Sequence, residues 1–326
     1  MKLKTLILYF LIILGNYCFS QNNNNRDLAL FNKGNGLYEL VYEDLNIDYT
    51  LSQLDTTKVI ERAQYRVLVE QKEEILERSL EYFEELIDEY PKSKMFFRAM
   101  NNSALISTQL DYINEAIEYY KRIIKSKADD KEKGGIGEGI MAEPYALYKN
   151  RACKSLAEIY LLRKDFKEAI KYINLTKKYP YQHFCGNEYA ENDIYIATLY
   201  AKNYIGLNNI EKALEYSLPH VFYNGLASNL EILEITLNLL KSNYTKEQLN
   251  SELKKSLRNI KLKKRKGYKY GVTTFLNIKI ELSSEMYSLP DSDFNYEQYE
   301  KLSELEKYII NFKESEFYKE IKKHTP

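Results

Sequence analysis

From about residue 57 to residue 260 the apolar side chains recur at i, i+3, i+4 and i+7, the period of a helix buried along one face. Few residues interrupt the pattern, because the chain of 326 residues holds only 12 glycines and 6 prolines. The spacing predicts helices near 57–90, 94–109, 113–127, 144–162, 166–178, 190–206, 210–217, 229–242 and 246–260, joined by short polar turns. Short connections make successive helices antiparallel neighbours. The expected fold class is therefore all-α.

One stretch carries more than a period. Leu156, Ala157, Tyr160, Phe166, Ala169, Ile173 and Pro180 place small and aromatic residues on two helices around the polar turn Arg163-Lys164-Asp165. Ala201, Tyr204, "GLNN" at 206–209, Ile210 and Ala213 repeat the arrangement downstream. Ala104, Asp111, Ile113, Ala116 and Tyr120 repeat it upstream, and Ser79, Phe83 and Pro91 read as an earlier second helix. The spacing resembles the tetratricopeptide repeat, a 34-residue helix-turn-helix unit that stacks into an α-solenoid. The resemblance covers roughly residues 75–220. The small residues Ser79, Ala116, Ala169 and Ala213 are separated by 37, 53 and 44 positions, and the excess falls in insertions at 128–143 and 181–189. A generic helical bundle is the alternative.

The resemblance implies a concave groove, lined by first helices, that receives a segment of a partner protein. By register the groove residues are Arg98, Asn101 and Asn102, then Arg151, Lys154 and Glu158, then Tyr195, Thr198 and Lys202. Several are cationic or amide, so the groove is expected to prefer acidic or carboxylate-bearing segments. Some members of the family hold a peptide carboxylate with a Lys/Asn clamp, whose full pattern is not present here. Ordinary surface charge is the competing account of these residues.

The chain starts with Lys2 and Lys4, an apolar run from Leu6 to Leu14, and small residues at Cys18 and Ser20. That order is expected of a secretory signal peptide cut after Ser20, with an uncleaved anchor as the alternative. The Phe-Ser-Gln junction resembles signal peptides of Bacteroidetes-type bacteria. Tyr17 occupies the position where a lipobox needs a small residue, which argues against lipid attachment at Cys18. Beyond Ser20 there remain 45 basic and 47 acidic residues, a balance that argues against a protein built for nucleic acid. Export permits a disulfide between Cys153 and Cys185. Two unpaired small core residues is the other reading.

Beyond 260 the pattern changes. Thr245 and Gln248 form a capping box for the last of these helices. In "TTFLNIKIEL" the residues Leu276, Ile278, Ile280 and Leu282 alternate with polar ones, which predicts a strand, paired with a second strand in 261–270. A turn follows at 288–294, then helix over 296–323. The domain reading is a signal peptide (1–20), an N-terminal extension (21–55), helical repeats (56–260) and a small strand-and-helix appendage (261–326).

Three further stretches invite chemical readings. "GGIGEG" at 134–139 lacks the preceding strand and the Gly-Lys-Ser/Thr of a phosphate loop, so a connecting loop is expected. His183, Cys185, Glu188, Glu191 and Asp193 could serve a metal or a nucleophile. No second His or Cys cluster stands at zinc spacing, and the acids suit the start of a helix. No metal, cofactor or catalytic group is assigned. The basic run Lys254, Lys255, Arg258, Lys261, Lys263, Lys264, Arg265, Lys266 and Lys269 reads as a solvated helix face and strand edge, or as a surface for an anionic partner. The expected function is a non-catalytic protein-interaction module in the periplasm or outside the cell. The rivals are an envelope (outer-membrane) assembly component and an enzyme or small-ligand binder using the insertions at 128–143 and 181–193.

Overall fold

Residues 25–135, 142–222, 227–265, 267–282 and 296–323 are described by the computed structural model. The expected signal segment, most of the glycine-rich stretch, the turn at 288–294 and His324 lie outside the described residues. The described chain is mostly helical, with a small three-stranded antiparallel sheet. It divides between Asp130 and Lys131 into two compact units.

The first unit holds α1 (Arg26–Glu39) with a π-helical continuation Leu40–Asp44, α2 (Ile47–Ser52), α3 (Val59–Glu89), α4 (Phe96–Gln109) and α5 (Ile113–Lys125). The 31 residues of α3 contain no glycine or proline, and Pro91 stands just past its end. Its second half buries Leu76, Leu80, Phe83, Leu86 and Ile87. Helix α1 lies in the stretch expected only as an extension. Two glycines weaken its helical signal, and one of them has a packing role. A Cβ on Gly34 would stand 2.9 Å from the Phe83 ring. The Ser79 hydroxyl donates to the Gly34 carbonyl at 2.7 Å.

The second unit begins with α6 (Tyr148–Leu162), α7 (Phe166–Leu175), α8 (Gly186–Gly206) and α9 (Ile210–Ser217), followed by a short 3-10 turn, Leu218–His220. Successive helices pack side by side, and α6 also touches α8. Ala157 and Ala169 are fully buried. A Cβ on Gly206 would lie 2.3 Å from the Phe166 ring, so this glycine is what lets the end of α8 reach the start of α7.

Three turns, α4–α5, α6–α7 and α8–α9, share one geometry. Asp111, Lys164 and Asn208 each take a left-handed conformation. The next residue's N–H then reaches back to the last turn of the helix: Tyr112 to Ser107 O, Asp165 to Tyr160 O and Asn209 to Tyr204 O, each at 2.8 Å. This pattern closes helix ends by satisfying carbonyls that the helix itself cannot. The side chains of Asp165 and Asn209 go on to cap α7 and α9 by accepting the Glu168 and Lys212 N–H groups.

The unit is completed by α10 (Leu230–Asn243), α11 (Lys246–Arg258), β1 (Lys261–Arg265), β2 (Tyr268–Phe275), β3 (Ile278–Leu282), α12 (Tyr296–Glu300), α13 (Glu304–Glu314) and α14 (Glu316–Lys323). Thr245 and Gln248 form the expected capping box. The expected hairpin is a three-stranded meander, β1-β2-β3. Leu276 does not lie on the strand face read from the sequence. Leu276 and Asn277 are both left-handed, and they make the two-residue turn between Phe275 and Ile278. Such turns match the twist of a hairpin, and asparagine is a common occupant. The alternation of apolar residues thus ran across a turn.

The sheet and the final helices share a core with the helices before them. Phe275, Ile280, Phe312, Phe317 and Ile321 share one buried cluster with Leu214, Leu240, Leu249 and Leu253. Ser256 accepts from the Thr273 hydroxyl through its carbonyl at 2.6 Å and donates to the Thr274 carbonyl at 2.7 Å, joining α11 to β2.

Replacing a helical glycine by alanine ordinarily stabilises by about 0.5–1 kcal/mol. Gly206→Ala is expected to do the opposite, losing about 1–3 kcal/mol as Phe166 is displaced. Chemical denaturation measures the sign, and a gain in stability would refute the close contact.

Candidate functional site

Within the second unit, α6 and α8 touch, and the segment 179–185 runs between α7 and α8. Of the residues expected to line a groove, Arg151, Lys154 and Glu158 lie on α6, and Tyr195, Thr198 and Lys202 on α8. Lys154 is the centre of the arrangement. Its ammonium stands 4.6 Å from the centroid of the Tyr181 ring and 5.4 Å from that of Tyr195. Ring faces attract cations. The same ammonium has no hydrogen bond or ion pair with any described residue. Burial draws its pKa down to about 8, the neighbouring Arg151 adds to that, and Glu158 opposes it.

The adjacent charges are already engaged. Arg151 meets the Glu143 carboxylate. Tyr195 is bonded through its hydroxyl to Glu158, and its pKa is pushed well above the usual phenol range, by burial first and then by that carboxylate. Burial, reinforced by Glu188, pushes Tyr181 up to about 12. Lys202 pairs with Glu231 of α10 at 2.5 Å. Thr198 does not face outward as expected. It is buried, and its hydroxyl donates to the Ile194 carbonyl one turn back at 2.9 Å. Arg98, Asn101 and Asn102 belong to α4 of the first unit, where all three are half-buried and Asn101 Nδ2 reaches Asn102 Oδ1 at 3.4 Å.

The segment 179–185 is held by His183. The Cys185 N–H donates to His183 Nδ1 at 2.9 Å, so Nδ1 is unprotonated and Nε2 carries the hydrogen, donating to the Ala142 carbonyl at 3.2 Å. Both ring nitrogens are thereby occupied in bracing one loop against another, which leaves none for a metal or as a base for Cys185. Among the described residues no group of three or more His, Cys, Asp or Glu side chains could hold a metal ion. Cys153 and Cys185 are not joined in a disulfide. Phe184 stacks on His183 at 4.5 Å and is 62% exposed. Tyr189 packs edge-on to Tyr181, and its hydroxyl accepts the His183 N–H at 3.1 Å.

The described part of the glycine-rich stretch has a structural use. Gly135 N–H donates to the Glu143 carbonyl at 3.1 Å, and a Cβ there would lie 2.4 Å from that same oxygen. Gly135 therefore brings two backbones together and sets the base from which Glu143 meets Arg151. Sequence reasoning found Arg151, Lys154, Glu158 and Tyr195 but missed Glu143, Tyr181, Phe184 and Tyr189. The aromatic density of "YPYQHF" at 179–184 is the signal that could have found two of them, Tyr181 and Phe184.

No protein-family model matches the chain, and no curated protein matches it.

Phenylalanine at 183 can retain the ring contact with Phe184 but makes neither hydrogen bond. His183→Phe is expected to cost about 1–3 kcal/mol, the usual cost of stranding buried polar partners. Urea unfolding of the variant checks this, and unchanged stability would show that the brace carries no energy.

Proposed function

We propose that the chain is an exported, non-catalytic protein-interaction module built on tetratricopeptide-like helix hairpins. In this reading it receives an acidic segment of a partner protein along α6 and α8. The repeat reading is supported by the three congruent hairpin turns, whose left-handed residues are spaced by the same 53 and 44 positions as the small residues Ala116, Ala169 and Ala213. The binding reading rests on one observation, the Lys154 ammonium, partly withdrawn from water beside two tyrosine rings and without an ion pair to any described residue. Burying an unpaired charge is unfavourable. A carboxylate from a partner completes the pair, and the exposed Phe184 ring offers an apolar contact in the same aromatic cluster.

A hydrogen bond to a charged group contributes about 1.5–3 kcal/mol, so loss of Lys154 should weaken binding about tenfold to a hundredfold. The test is a pull-down with the full chain from envelope extracts, read by mass spectrometry, against Lys154→Glu and Lys202→Glu. Loss of the recovered protein with Lys154→Glu supports the reading, and an unchanged set of partners in both variants refutes it. Recovery of outer-membrane proteins would favour the envelope-assembly role.

The depressed pKa gives two signs. In the free protein Lys154 loses its proton as pH rises through about 8. A bound carboxylate favours the charged form, so affinity should fall above about pH 8 and binding there should take up protons. Calorimetry in buffers of different ionisation enthalpy reads the uptake. The folded-state pKa also lies below the unfolded one, so the protonated amine disfavours folding at all pH below about 8, a cost relieved as pH rises toward the unfolded value near 10.4. Lys154→Met should therefore be at least as stable as the native chain at pH 7 while binding less well. A variant that binds poorly because it unfolds would instead melt lower.

A further inference from the structure

The outer edge of β1 carries a feature that the groove reading does not use. The sheet order makes β1 an edge strand, and all its residues except the half-buried Leu262 are exposed. Pairing alternates along an antiparallel ladder. Phe275 and Ile278 close the β2–β3 turn, so odd-numbered residues of β2 bond to β3, and even-numbered ones bond to their β1 partners Lys261, Lys263 and Arg265. The N–H and C=O groups of Leu262 and Lys264 therefore point to the open side, where no described strand pairs with them.

Side-chain chemistry divides by the same alternation. Leu262, opposite Gly271, lies on the face that packs against the core. Lys261, Lys263 and Arg265 lie on the other face, around Tyr270. Arg265 pairs with Glu281 at 2.7 Å. Lys261, Lys263 and Lys264 have no acidic partner among the described residues, nor do Lys254 and Arg258 on the last turns of α11, which leads directly into β1. The strand holds no acid at all. This concentration stands in a chain whose basic and acidic residues are equal in number.

Lysines on an edge bar pairing with a second copy, since like charges would face each other. They do not bar an acidic strand. We infer that the edge of β1 is a binding site for an acidic, extended segment of a partner protein, which adds as a fourth strand with acids and apolar residues at alternate positions. The acids would meet Lys261 and Lys263 on the outer face, and the intervening apolar side chain would lie beside Leu262. Opposed charges across strands favour pairing, and the backbone bonds supply the rest.

The probe is the end-blocked, fluorescently labelled peptide Glu-Val-Glu-Val-Glu, titrated into the full chain and followed by anisotropy, with amide hydrogen exchange measured in parallel. Saturable binding is expected, with slowed exchange at the Leu262 and Lys264 amides and at least tenfold weakening in the double variant Lys261→Glu, Lys263→Glu. Lys264→Pro removes an outward N–H at an edge position that tolerates proline. It should weaken binding while the melting temperature stays within a few degrees. Three outcomes overturn the inference: no binding, equal binding of the same peptide methylated at alternate amides, or binding without slowed exchange at Leu262 and Lys264. The last two would leave a basic patch that holds polyanions or anionic vesicles without strand addition. The site is independent of Lys154, so Lys154→Glu should bind the peptide unchanged.

Discussion

Two helices approach to backbone contact only where a side chain is missing or very small, and both units of this protein depend on that constraint. In the first unit Gly34 lies beneath the Phe83 ring, and Ser79 bonds to its carbonyl. In the second, Ala157 and Ala169 are buried without exposure, and Gly206 admits the Phe166 ring at the next crossing. Each contact fixes how far one helix lies from the next, and so which side chains of neighbouring helices can meet. The tyrosine faces beside Lys154 follow from this. Tyr195 rides on α8, Lys154 on α6, and the distance between them is set by the packing of both helices.

The energetics of that site run against stability. An ammonium drawn from water beside ring faces gains a cation–π attraction of order 0.5–2 kcal/mol. Burial still prevails, because its pKa falls to about 8. Neighbouring charges do not behave this way. Arg151 has Glu143, Lys202 has Glu231, and Glu158 holds the Tyr195 hydroxyl. A charge left incomplete among satisfied ones is where a ligand of opposite sign gains most. Ionisable groups perturbed by burial cluster at functional sites.

Much of this was legible in the sequence, for reasons that can be named. Helices read from the apolar period appear within a few residues of their expected ends, because period and terminators agreed: Pro91 follows α3, and Thr245 with Gln248 opens α11. Helix α1 was missed because Gly34, needed for a contact that no local pattern reveals, lowers the helical signal at the place where it is used. Leu276 was misplaced because strand alternation continues unbroken across a two-residue turn. Its neighbour Asn277 was the clue, read as a polar strand position. Thr198 has the period of an outward residue but bonds to its own helix, which spacing cannot distinguish from a groove position. The partners that complete the Lys154 site, Tyr181 and Glu143, come from insertions without a period, and only the folded chain brings them together.

Many lysines of this protein have an acid beside them, and among the described residues those on the edge strand β1 do not. On helices several pair with an acid one turn away, as Lys171 does with Glu168 and Lys212 with Glu215, and such exposed pairs contribute little. On β1 a helical spacing is unavailable, and the residues that could neutralise Lys261 and Lys263 must come from across the sheet. Opposite them stand Val272 and Tyr270. The strand could have been silenced by one acid on β2, as Glu281 silences Arg265 and Lys279. Its position is also firm, since β2 is tied to α11 by two hydrogen bonds and Phe275 is buried in the core. A rigid edge with unpaired backbone and uncompensated charge incurs little further ordering when a strand adds to it, so the entropy of binding falls chiefly on the incoming segment. That segment must gain its affinity from alternate acids and from backbone bonds at Leu262 and Lys264, which is why spacing of acids, rather than their number, sets what this edge can hold.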